Sequence, residues 1–111
     1  MTNHRTRLLM ITLLSLALPG FALADAKDTW DHSCARCHGA DGAGQTKIGK
    51  KLGLKDYSSA DVQAKLADAD ILKAIQDGVI VDGKQKMPSY KDKISDDDAK
   101  ALVGYMRSFK K

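Results

Sequence analysis

Cys34-Ala35-Arg36-Cys37-His38 is the stretch on which the reading of this 111-residue chain turns. Two thiols at this spacing on a helix end reach the two vinyl groups along one edge of a single macrocycle, and the following His then lies beneath the iron as a proximal ligand. Cys34 and Cys37 are the only cysteines, so both are accounted for by one covalently attached haem c. Three competing uses fit less well. A thiol–disulfide redox pair belongs with a βαβ pattern, which the chain lacks. A structural zinc site needs four ligands, and the available His32, Cys34, Cys37 and His38 crowd into seven residues. A disulfide here would close no long loop and staple little.

Upstream of the motif the chain carries a leader. Arg5 and Arg7 precede the apolar run Leu8 to Leu18, Pro19-Gly20 breaks it, and Ala22-Leu23-Ala24 supplies small residues for cleavage. This order is that of a secretory signal peptide, so residues 1–24 are expected to be removed on export to the periplasm. The domain is then residues 25–111, 87 residues with sixteen basic and fourteen acidic side chains. A domain this short buries a small core and relies on a cofactor or a covalent staple. A net charge near +2 without a basic stripe excludes nucleic acid as a partner class. No stable membrane insertion is expected after cleavage, and the mature chain is read as a monomer.

Downstream, apolar periodicity predicts helices and little else. One runs from about Ala26 to Cys37, with Asp25 and Asp28 at its positive end. A second region opens after Ser58-Ser59, bends near Asp68, resumes with Ile71, Leu72 and Ile75, and stops at Gly78. A third opens at Ser95, with Asp98 in the capping-box position and Ala99, Leu102, Val103, Met106 and Phe109 at the 3.6-residue period. Gly39 to Gly53 and Val79 to Lys93 read as loops, the latter with turn-forming Asp82-Gly83 and Met87-Pro88. Gly78 to Val81 is the one brief strand candidate. The fold class is all-α, with no internal linker or repeat.

A second axial ligand has to approach from the face opposite His38. His32 shares the helix of the cysteines and cannot reach round the ring. Residues 25–111 hold two methionines, Met87 and Met106. Met106 falls on the apolar stripe of the last helix and reads as core. Met87 lies in a loop, followed by the rigid Pro88, and is the favoured ligand, although a loop Met is often a gap filler. Lys86 could replace it at high pH. A haem pocket of Leu52, Leu54, Ile71, Leu72, Ile75 and Met106 is expected, with Arg36, Tyr57 and Tyr90 as candidate hydrogen-bond partners of the propionates.

Taken together these residues resemble a class I cytochrome c over the whole of residues 25–111, nearest to the short bacterial monohaem branch. Trp30 precedes Cys34 by four, Cys37-His38-Gly39 leads into Asp41-Gly42-Ala43-Gly44, Met87-Pro88 precedes the last helix, and Leu102-Val103-Gly104-Tyr105-Met106 closes it. The resemblance implies three or more helices wrapped around one haem, with first and last helices crossing and Trp30 packed on Leu102 or Tyr105. It also implies a carbonyl just after Gly49 that receives the second N–H of His38. The family places Pro there, whereas this chain has Lys50.

The expected function is single-electron transfer by a six-coordinate His38/Met87 haem, with no catalytic residues. Its partners would be redox proteins: a respiratory dehydrogenase, a cytochrome complex, or a terminal oxidase or reductase. Lys47, Lys50, Lys51, Lys55, Lys84, Lys86, Lys91 and Lys93 lie in loops expected to rim the haem and could steer acidic partners. The alternatives are a five-coordinate haem peroxidase or gas sensor, a haem-free thiol oxidoreductase, and an electron-transfer subunit of a larger respiratory complex.

Overall fold

The computed structural model describes residues 21–111. The expected leader, residues 1–24, lies outside the described residues apart from its last four, so the expected cleavage point falls within the first helix. That helix, α1 (Phe21–Thr29), passes through a π-helical turn (Trp30–Cys34) into α2 (Ala35–His38). Asp25 and Asp28 therefore sit beyond its first turn, not at its start as predicted. Ala26, Trp30 and Cys34 recur every four residues and form its buried stripe.

α3 (Lys47–Leu52) is a helix where a glycine-rich loop was expected. The Thr46 hydroxyl caps its start by accepting the Gly49 N–H, and Gly53 ends it in the left-handed conformation at φ 68°. α4 (Ala60–Ala64) and α5 (Asp68–Asp77) follow, separated by the predicted bend. Ser59 caps α4 by accepting the Val62 N–H, and Gly78 terminates α5 with φ 75°.

Beyond Gly78 the brief strand candidate is borne out, and the loop reading of the residues after it is corrected. Val79–Val81 (β1) pairs antiparallel with Lys84–Met87 (β2), so Met87 ends a strand instead of lying in a loop. The cause is local. Asp82 and Gly83 both take positive φ, 52° and 76°, the two-residue turn whose twist matches paired strands.

The last helix, α6 (Asp96–Arg107), is capped by Ser95, whose hydroxyl accepts the Asp98 N–H. Its Ala99, Leu102, Val103 and Met106 are buried and pack on the stripe of α1 and on α5. Leu102 is 1 % exposed, a burial that contributes about 2 kcal/mol. First and last helices thus meet as expected, with Trp30 beside Tyr105 (ring centroids 6.0 Å apart) and Phe109 (4.9 Å). The fold is all-α apart from the short hairpin. No helix among the described residues is long and apolar enough to cross a membrane.

Candidate functional site

The end of α2 is held from outside the helix. Its last carbonyls have no intrahelical partners, and the loop that follows supplies them. The Thr46 hydroxyl donates to the Cys37 carbonyl at 2.6 Å, the Gly44 N–H to the His38 carbonyl at 2.8 Å, and the Trp30 indole N–H to the Gly39 carbonyl at 2.9 Å. This wrapping requires close backbone approach at Gly49, where a Cβ would collide with the carbonyls of Gly44 and Cys37, the latter at 2.6 Å. The backbone carrying the attachment motif is therefore fixed by its own downstream loop.

On this frame Cys34 is buried, Cys37 is half-buried, and both thiols are free. Burial, and then the neighbouring Cys37, push the Cys34 thiol up to about 11. A redox-active C-x-x-C pair needs a depressed thiol pKa, so this environment speaks against thiol exchange. Burial lowers the pKa of His38, which keeps the imidazole neutral and competent as a metal ligand. Its ring lies near those of Trp30 (5.7 Å, 42° between planes) and Tyr57 (5.4 Å, 29°).

The resemblance-based expectation for the second nitrogen of His38 is not met. His38 Nδ1 is buried with no hydrogen-bond partner. The Gly49 and Lys50 carbonyls, on α3, accept the N–H groups of Leu54 (2.9 Å) and Gly53 (3.4 Å).

The opposite wall is built by the hairpin. Met87 ends β2, and the chain beyond it is clipped to the C-terminus of α5. The Ser89 hydroxyl and the Lys91 N–H donate to the Gln76 carbonyl, and the Tyr90 N–H donates to the Ile75 carbonyl at 3.0 Å. Gly78 lets the strands close, since a Cβ there would strike the Met87 carbonyl.

Between the walls lies one cleft with two adjoining lobes, of about 120 and about 370 Å³. Cys34, His38, Tyr57 and Met87 line both, Cys37, Leu52, Leu54, Pro88 and Tyr90 line the larger, and Ile71, Ile75 and Met106 the smaller. Arg36 is exposed and does not line it, and Leu72 packs on the core instead. The Tyr90 hydroxyl donates to the Ser33 carbonyl at 3.0 Å, so its one proton is committed to the protein and not to a propionate. Burial raises the pKa of Tyr57, keeping its phenol protonated as a donor.

Three residues near the site were not singled out from the sequence. Gln63, buried, donates to the Tyr57 and Met106 carbonyls, and Arg107 clasps Gln63 from α6. Thr46 was also missed, although a Thr six residues before Leu52-Gly53 is a readable cap signal.

The residues present fit a haem. Two free thiols, an imidazole that burial keeps neutral and the Met87 thioether all line one largely apolar cleft. Comparison with known proteins agrees. The profile of the family described as "Cytochrome C oxidase, cbb3-type, subunit III" matches residues 21–106. Among solved structures the chain is similar to the "KustC0563 c-type cytochrome", with 34 % identity and a TM-score of 0.70, covering 78 % of this chain and 98 % of that one. A tyrosine-to-phenylalanine mutant of Kustc0563 gives 34 % identity and a TM-score of 0.68, with 78 % and 99 % covered. No curated protein matches the chain.

Proposed function

We propose, from the premise that the chain belongs to the cytochrome c family of the cbb3-type oxidase subunit III domain, that it is a periplasmic shuttle. It carries single electrons on one covalently bound haem with His38 and Met87 as axial ligands. Haem-based electron transfer follows from the family. The finer reading rests chiefly on one observation: His38 and the Cys34/Cys37 pair share an apolar cleft with Met87. Haem supplies the Fe(III)/Fe(II) couple. The rest is the chain's own contribution.

Cys34 and Cys37 anchor one edge as thioethers. His38, neutral through burial, donates a ring nitrogen. Met87 offers a soft thioether, which favours the reduced state. Leu52, Ile71, Ile75, Met106 and Pro88 keep water from the cleft, which disfavours the additional charge of the oxidised state. Tyr57 is the remaining candidate donor to a propionate. If His38 and Met87 both held the iron, no position would be left for substrate, which sets this reading apart from a peroxidase or gas sensor.

The leader over residues 1–24 delivers the chain to the periplasm, leaving residues 25–111 as a monomer. Its lysines at positions 47, 50, 51, 55, 84 and 86 are all exposed and surround the cleft-lining segments, where they steer acidic redox partners. The description of the matching family favours a second reading for the partner, an electron-transfer subunit of a larger oxidase complex; the chemistry at the haem is the same.

The test is the absorption spectrum of protein exported by cells with c-type haem maturation. Sharp reduced bands are expected, together with a weak oxidised-state sulfur-to-iron band that disappears in Met87→Ala. Covalent haem without that band, binding CO rapidly, would return the peroxidase or sensor reading. A colourless product would overturn the function.

A further inference from the structure

We propose that Tyr90 is a positioning residue for Met87, a latch that ties the segment carrying this thioether to the helix carrying the attachment motif. Everything that anchors Met87 locally belongs to its own side of the cleft. Met87 pairs with Val79 in the hairpin, Gln85 Nε2 donates to its carbonyl at 3.3 Å, and Pro88 follows with its backbone rotation restricted. Ser89 and Lys91 then bond to the Gln76 carbonyl on α5. These contacts join the hairpin, residues 88–94 and the C-terminus of α5 into one body. They do not set its distance from His38.

Two links set that distance. At one end α5 packs on α6, which crosses α1. At the other the Tyr90 hydroxyl donates to the Ser33 carbonyl at 3.0 Å, across 57 positions of sequence. Among the described residues this is the one hydrogen bond between residues 78–95 and residues 26–53. Ser33 immediately precedes Cys34 and, with Met87 and Tyr90, lines the larger lobe. The Tyr90 backbone is itself held at both ends. Its N–H donates to the Ile75 carbonyl at 3.0 Å, and its carbonyl accepts the N–H groups of Lys93 and Ile94, both at 2.9 Å. The hydroxyl bond then fixes the ring. Met87 stands three residues away, a chain span of at most about 10 Å, so slack at Tyr90 reaches the thioether.

The inference rests on the reading of Met87 as an iron ligand and deepens it. Ligation by a side chain is an equilibrium between held and released forms, and a contact made only in the held form weights it. The Tyr90–Ser33 bond is such a contact, since swinging the segment away from the cleft breaks it. Local opening of this kind is governed by the contacts of the segment and not by the stability of the whole domain. Removing the hydroxyl should raise the released fraction about tenfold, the weight of one hydrogen bond lost at a part-buried acceptor.

The experiment compares the full haem-loaded protein with Tyr90→Phe, which removes one oxygen and keeps the ring, and with Ala99→Gly as a control in the α1–α6 crossing. Two temperatures are read for each protein. Loss of the weak sulfur-to-iron band reports Met87 leaving the iron, and loss of the far-ultraviolet helical signal reports unfolding of the whole domain. CO binding to the ferrous form, which waits on release of Met87, gives a third reading. Tyr90→Phe should lose the band further below global unfolding than the parent does, and should bind CO about tenfold faster. Ala99→Gly should lower both temperatures together and leave the CO rate unmoved. An unchanged gap and CO rate in Tyr90→Phe would overturn the latch. So would a Tyr90→Phe protein that loses band and fold together or does not fold, because the hydroxyl would then support the whole domain. A parent with covalent haem and no sulfur band would overturn the Met87 reading itself, before any variant is compared.

Discussion

The indole N–H of Trp30 donates to the carbonyl of Gly39 across 2.9 Å, a bond that spans the whole attachment motif. The tryptophan is 5 % exposed, so it joins the helix crossing to the end of α2 in one side chain. Trp30→Phe keeps the ring contacts with Tyr105 and Phe109 but removes the bond. The loss should be about 1–2 kcal/mol, because an apolar group replaces a donor facing a buried acceptor. Chemical denaturation of the haem-loaded protein would measure it.

At Gly49 the argument is steric. A methyl group there meets two backbone carbonyls, and neither can withdraw without unpinning the chain beside His38. Gly49→Ala is expected to cost about 3 kcal/mol, at the upper end for overpacking, and to lower the yield of haem-loaded protein. Gly53→Ala provides the contrast. It has left-handed backbone but nothing within 4 Å of its Cβ, and should cost about 1 kcal/mol.

The two partners of the Arg107–Asp68 ion pair are not equivalent. Asp68 is 72 % exposed, and Asp68→Asn should change stability by no more than about 0.5 kcal/mol. Arg107→Ala strips the donors from Gln63 and the Leu66 carbonyl as well, leaving polar groups unsatisfied, and should cost about 2–3 kcal/mol. Thermal unfolding of the two variants side by side would show the difference.

Electron-transfer rates with an acidic partner should decrease as ionic strength rises, as charge steering is screened beyond about 10 Å at 0.1 M salt. Exchanging Lys84 and Lys86 for Gln should flatten that dependence. Stopped-flow kinetics across a salt series would read both, and a flat profile for the parent would remove the lysine rim from the docking surface.

How far the sequence foretold this arrangement depends on the range over which each signal acts. Ser59, Gly78 and Ser95 act on the helix next to them, and the ends they mark are where they were read. The Ala99, Leu102, Val103 and Met106 stripe was legible because twelve residues give periodicity room to repeat. α3 and the second strand escaped because six residues, or a strand of four, are too short for a pattern. Asp82-Gly83 was visible as a turn, yet Lys-Gln-Lys after it has no apolar alternation. The clasp of Gln63 joins it to Arg107 across 44 positions, which no local stretch spells out.

The wide turn at Trp30–Cys34, where the Ala35 N–H reaches back to the Trp30 carbonyl, acts as a phase correction. An α-helix overshoots a full revolution by about 40° every four residues, so a stripe spaced by four would drift around the helix. A turn closed over five residues undershoots instead. One α step from Ala26 to Trp30 and one wide step from Trp30 to Cys34 cancel, which is how all three face α6 while Cys34 reaches the cleft edge. Deleting a single residue within this turn would swing everything upstream by about 100° and separate the indole from the cysteines. The length of this segment should therefore tolerate less change than its composition.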